Sequence, residues 1–97
     1  RKINFYNSTD DVFNHIRAHG PKPGSWFTYK GERIKIIKAK KINELGESST
    51  ILNKDFMIAC KDGAILPMLI QREGKKVVSL EDFLRGFTFS IYDKLNA

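Results

Sequence analysis

The side chains able to do chemistry in this sequence are few, and most sit where a plainer role suffices. His15 and His19 stand four apart, the spacing that puts a metal pair on one helix face. No Cys or Glu extends them into a ligand pattern, so a solvated helix face is the plainer reading and no metal is expected. Cys60 closes an apolar run, where a buried and unreactive thiol is the default. The carboxylate pairs Asp10 with Asp11 and Glu81 with Asp82 fall in first helical turns, where they complement the helix dipole without acid–base work. Gly24, Gly31, Gly46, Gly63 and Gly74 stand singly as turn residues and form no phosphate loop. The sequence predicts no catalytic residue and no bound cofactor.

What remains is positive charge. The 97 residues hold 17 Lys and Arg against 11 Asp and Glu, a net +6 that attracts polyanions at long range. Lys22 lies in a Pro-Gly loop, Lys30 and Arg33 flank a turn, and Arg72, Lys75 and Lys76 gather in a later one. Between them, Arg33 and Lys35 alternate with Ile34 and Ile36, and Lys38 and Lys40 alternate with Ala39. Strict alternation would send Lys38 to the wrong side. One extra residue at Ile36-Ile37, a β-bulge, restores a single face bearing Arg33, Lys35, Lys38 and Lys40, with Lys41 at its end. Cations so arranged hold phosphates with little need for base readout. The competing readings are solubilising surface and a Lys-rich edge that blocks strand pairing.

The aromatic residues bear on which nucleic acid is meant. Trp26 and Phe27 are adjacent in a strand and face opposite ways, so at least one belongs to the core; Phe13, Phe56 and Phe83 read as core too. No aromatic repeat of the kind that stacks single-stranded bases is present, which favours folded RNA gripped through backbone and shape.

The elements that position these residues are short. Ser8 or Thr9 caps a helix with Val12, Phe13 and Ile16 on one side, and Gly20-Pro21 stops it. Strands follow at 26–29, 33–41, 50–52, 56–60 and 64–71, with Lys30-Gly31 and Lys61-Asp62-Gly63 as hairpin turns. Pro67 argues for an edge strand or a bulge. After Val77-Val78, Ser79 and Asp82 form a capping box for a last helix with Leu80, Phe83 and Leu84 inward, and 87–95 adds a final extended segment. The prediction is a mainly β fold, an OB-like Greek-key open β-barrel with a short N-terminal helix and a short helix near the C-terminus. Residues 1–7 read as the end of an interdomain linker, flexible without its upstream neighbour, and 8–97 as the domain. The chain opens on Arg1 rather than Met and reads as a piece of something longer. A lone cysteine points to a reducing, cytoplasmic or organellar compartment. No apolar run approaches the roughly 20 residues of a membrane span.

The order of motifs resembles the C-terminal domain of methionyl-tRNA formyltransferases. Phe13-Asn14-His15-Ile16-Arg17-Ala18, Pro21-Lys22-Pro23-Gly24-Ser25-Trp26 and Ile34-Lys35-Ile36-Ile37-Lys38-Ala39 carry the opening. Thr50-Ile51-Leu52, Ala59-Cys60-Lys61-Asp62-Gly63, Leu69-Ile70-Gln71 and Gly74-Lys75-Lys76-Val77-Val78-Ser79 follow in order, with Asp82-Phe83-Leu84 last. Ser48-Ser49 stand where that family often has Pro-Gly. The resemblance implies a transferase whose absent N-terminal domain carries the catalytic Asn, His and Asp and binds 10-formyltetrahydrofolate as cosubstrate. It also implies that this domain helps hold initiator methionyl-tRNA in translation initiation, with its own catalytic domain as the other partner, no membrane and a monomeric state. The alternative is a scaffold domain without nucleic-acid binding, as in formyltransferases of sugar-nucleotide type or formyltetrahydrofolate dehydrogenase.

Overall fold

The computed structural model describes residues Arg1–Ala97. In chain order the elements are α1 (Thr9–His19), β1 (Ser25–Tyr29), β2 (Glu32–Ile42), β3 (Ile58–Ala59), β4 (Ala64–Arg72), β5 (Val77–Ser79) and α2 (Leu80–Gly86). The strands make one antiparallel sheet in the order β1-β2-β4-β3, with β5 also on β4. It curls into an open half-barrel around a core of Phe5, Phe27, Ile34, Ile36, Ile51, Phe56, Ile58, Ile65 and Ile70. No helix is long and apolar enough to cross a membrane.

Local chemistry fixes the ends of the elements. The Ser8 hydroxyl accepts from the Asp11 N–H to cap α1, and the Gly20 N–H closes it on the Ile16 carbonyl. Lys30 and Gly31 both take positive φ, 48° and 83°, which makes the tight β1–β2 hairpin that matches strand twist. Ser79 caps α2 by accepting from the Asp82 N–H. The reciprocal half of the expected box is not made, because the Asp82 carboxylate turns to Arg85 instead.

One strand expectation is met and one is corrected. Pro67 stands at the expected bulge: β2 pairs with β4 on one side, and on the other Pro67 falls in the unpaired gap between the residues held by β3 (64–65) and those held by β5 (69–71). The proline is tolerated because the β2–β4 register is broken there, with Ile37 extra on β2 and Met68 extra on β4. The stretch 50–52 forms only single bridges, Thr50 to Lys94 and Ile51 to Ile58.

The chain ends also differ from expectation. Residues 1–7 are an integral edge of the sheet rather than a loose linker: the Ile3 N–H donates to the Trp26 carbonyl, and Ile3 and Phe5 are buried. The tail after Gly86 is not a strand. It lays Phe87 and Phe89 on Phe56, buries Leu95, and returns to β1, where Asn96 exchanges hydrogen bonds with Thr28. The N-terminal residues and Asn96 together cover the free edge of β1, which would otherwise invite strand addition.

Candidate nucleic-acid interface

Strand β2 shows its bulge in its burial. Ile34 and Ile36 are buried, and beyond Ile37 the buried position moves to Ala39. The opposite phase carries Arg33, Lys35, Lys38 and Lys40, all on the outer face of the half-barrel. None of the four lies within 4.0 Å of a carboxylate. Their strand is interior, between β1 and β4. A cation on an interior strand guards no edge, so edge protection does not account for this row.

Neighbouring strands widen the face. Trp26 on β1 pairs in register with Lys35, and Lys35 pairs with Gln71 on β4. Trp26 is half-buried on this outer face while Phe27 is fully buried, which settles the ambiguity of the Trp-Phe pair. The Arg33 guanidinium lies against the Trp26 ring, 3.7 Å from its centroid. Glu73 approaches only the backbone, accepting from the Arg33 N–H at 3.3 Å. Gly24 shapes the surroundings of Lys35: its φ is +86°, and a Cβ there would come within 2.9 Å of Lys35 Cδ. Glycine is therefore needed twice over, for the turn and for the path of the lysine stem. Lys2, bridged to Trp26, adds a cation that a linker reading of residues 1–7 overlooks. The alternation of buried Ile3 and Phe5 with exposed Lys2 and Asn4 was the available signal.

The other predicted cations divide. Lys22 is exposed in the turn before β1, and Lys75 and Lys76 are exposed between β4 and β5, all without ion pairs. Lys30 lies with its ammonium 5.5 Å from the Tyr29 ring. Arg72 is neutralised by a two-pronged contact with Glu32, at 2.7 and 2.8 Å. That contact raises the Arg72 pKa and holds the Glu32 carboxyl below its ordinary value. Lys41 points the other way from Lys40 and pairs with Asp10 of α1 at 3.1 Å.

The groups set aside as non-catalytic have structural partners. The His15 ring Nδ1 lies 2.8 Å from the Ser25 hydroxyl, tying α1 to β1. Partial burial, then the adjacent His19, lowers the His15 pKa. Burial pushes the Cys60 thiol up to about 12, so it is not a nucleophile at neutral pH. No group of three or more His, Cys, Asp and Glu side chains converges to hold a metal.

Known proteins resemble this sequence over most of its length. The family model described as "Formyl transferase, C-terminal domain" matches residues 1–88. The chain belongs to that family. A methionyl-tRNA formyltransferase of Sinorhizobium fredii is 42% identical over 89 residues, 88% of this chain and 29% of its own length. One from Rickettsia bellii is 35% identical over 96 residues, 97% of this chain and 32% of its own. One from Rhizorhabdus wittichii is 36% identical over 88 residues, 89% of this chain and 29% of its own. The family match includes residues 1–7 and every predicted cation, and it stops within the tail. The chain thus spans under a third of the length of these curated relatives.

Proposed function

We propose that the chain is the RNA-holding part of a methionyl-tRNA formyltransferase. In this reading a catalytic domain outside the chain passes the formyl group of 10-formyltetrahydrofolate to the amino group of methionyl initiator tRNA. The residues described here touch neither cosubstrate nor reacting atoms. Arg33, Lys35, Lys38 and Lys40 hold the tRNA backbone at the centre, with Lys22, Lys30, Lys75 and Lys76 around them; Lys41 and Arg72, already paired with carboxylates, take no part.

One observation carries the reading: a row of cations without carboxylate partners, on the solvent face of a strand that is not an edge. Solubility is served better by mixed signs, and edge protection has no edge to protect. Phosphates answer such a row, and the names of the relatives supply an RNA that carries them.

The test is tRNA binding by the 97-residue chain from low to moderate salt, beside Lys35→Glu combined with Lys38→Glu. The expected wild-type affinity falls steeply with salt, and each lost contact flattens the log–log slope by roughly 0.7 to 0.9. Equal affinity of the double variant and the wild type would reject the basic face. No binding by the wild type at low salt would return the chain to a scaffold role.

A further inference from the structure

Trp26 is the chain's single tryptophan, and it stands within the cationic face. Across the sheet it lies between Lys2 and Lys35. This transverse row crosses the longitudinal row of β2 cations at Lys35. The Arg33 guanidinium carbon is 3.7 Å from the Trp26 ring centroid, and the Lys2 ammonium is 5.9 Å away. The first distance is van der Waals contact, so the guanidinium rests on the ring; the second is at the outer limit of cation–π attraction. No carboxylate lies within ion-pair distance of that guanidinium.

An arginine on a flexible strand face must give up rotamer freedom when it grips a ligand. One already held against an aromatic ring gives up less, and contact with a ring face need not consume a guanidinium's N–H donors. The ring face that Arg33 covers is not available to a base.

We propose that Trp26 is a positioning residue: its indole presets the Arg33 guanidinium to take a backbone phosphate of the RNA, and does not itself stack on a base. The inference rests on the RNA-binding reading above and goes beyond it by assigning a role to a neutral side chain.

A double-mutant cycle tests it. The 97-residue chain, Trp26→Leu, Arg33→Gln and the combined variant are titrated with an initiator-tRNA transcript over a range of salt, and the fold of each is checked by thermal melting. Arg33→Gln is expected to weaken binding roughly threefold to tenfold, and to flatten the salt slope by about 0.7 to 0.9. Trp26→Leu removes no charge, yet most of the same loss and some of the same flattening are expected, because Arg33 is no longer held. The combined variant should be no weaker than Arg33→Gln alone. Trp26→Phe, which keeps an aromatic face, should recover most of the affinity. If Trp26→Leu does not fold, Trp26→Thr, a strand-compatible residue without a ring, takes its place in the cycle.

A loss from Trp26→Leu that persists undiminished in the Arg33→Gln background, with an unchanged salt slope, would mean that the indole meets RNA directly, and positioning would be wrong. Full affinity in Trp26→Leu would also overturn it. Absence of wild-type binding at low salt would instead remove the RNA reading beneath it, and both would fall together.

Discussion

The flank around Arg72 and the outer face of β2 present the same kinds of side chain and treat them differently. On the flank, Arg72 is clasped by Glu32, Tyr29 donates its hydroxyl to Asp93, and Lys94 meets Glu47. These contacts join residues 40 to 64 apart in sequence: the first ties β4 to β2, and the other two hold the tail on the half-barrel. On the outer face, Arg33, Lys35, Lys38 and Lys40 have no carboxylate partner, although no buried side-chain polar atom anywhere in the protein lacks a hydrogen bond. A fold that satisfies its interior and much of its flank, yet leaves one row of like charges unanswered, carries self-repulsion at that row. The difference separates charges that hold the chain together from charges available to something else.

Substitutions on the two sides should therefore fail in different assays. The largest effect on stability belongs to neither surface but to the aromatic cluster beneath the flank. Phe56 is fully buried at φ 67° among Phe27, Phe83, Phe87 and Phe89. Phe56→Ala keeps the strained backbone and empties the site, so urea unfolding should show a loss of about 3–5 kcal/mol. RNA affinity of the remaining folded protein should not change. Next comes Lys35→Glu with Lys38→Glu, for which roughly a hundredfold loss of RNA affinity at low salt is expected. Its unfolding free energy should stay within about 0.5 kcal/mol of the wild type. A large stability change there would erase the contrast.

Arg72→Gln sharpens the contrast from the other side. It should cost at most about 1 kcal/mol of stability, since the pair is partly exposed, and leave RNA affinity nearly intact. The pair also has a pH signature. Because Arg72 holds the folded Glu32 carboxyl below its ordinary value of 4.5, the stabilisation is complete above that value and is lost as pH falls through the lower folded one. The wild type should therefore melt above Glu32→Gln at pH 7, and the gap should narrow in strongly acidic buffer; a constant gap would place the effect elsewhere. The smallest effect is expected at Ser49, at φ 68° with its hydroxyl donating to the Leu95 carbonyl. Ser49→Gly relieves the backbone and deletes a buried hydrogen bond, so its net change should stay within about 1 kcal/mol.

Much of the outer face was legible in the sequence because its signals are local. The doubled isoleucine at 36 and 37 announces a bulge, and the bulge determines which way four cations point. Ser8, Gly20, Lys30-Gly31 and Ser79 announce the ends of elements for the same reason. Ser49 gives no such announcement: it takes a left-handed conformation where glycine would be at ease. The flank was not legible. That Arg72 meets Glu32 depends on the register between β2 and β4, and hence on the compensating irregularities at Ile37 and Met68. Pro67 pointed to a bulge or an edge; the bulge is there, and the gap beside Pro67 between β3 and β5 depends on partners that the local sequence does not name. Lys2 was hidden because seven mixed residues at a chain end look like a linker until Ile3 and Phe5 are seen in the core. The tail was hidden because its contacts with Phe56, Thr50 and Thr28 reach far back along the chain.

The most direct test of the division between committed and available charge is a map of where RNA touches the isotope-labelled chain. An initiator-tRNA transcript is titrated into the protein while backbone amide and Trp26 indole resonances are followed. Shifts are expected along Arg33, Lys35, Lys38 and Lys40 and at Trp26, with Glu32, Arg72 and Lys94 nearly still. Shifts concentrated on the Arg72 flank, with the β2 face silent, would contradict that division.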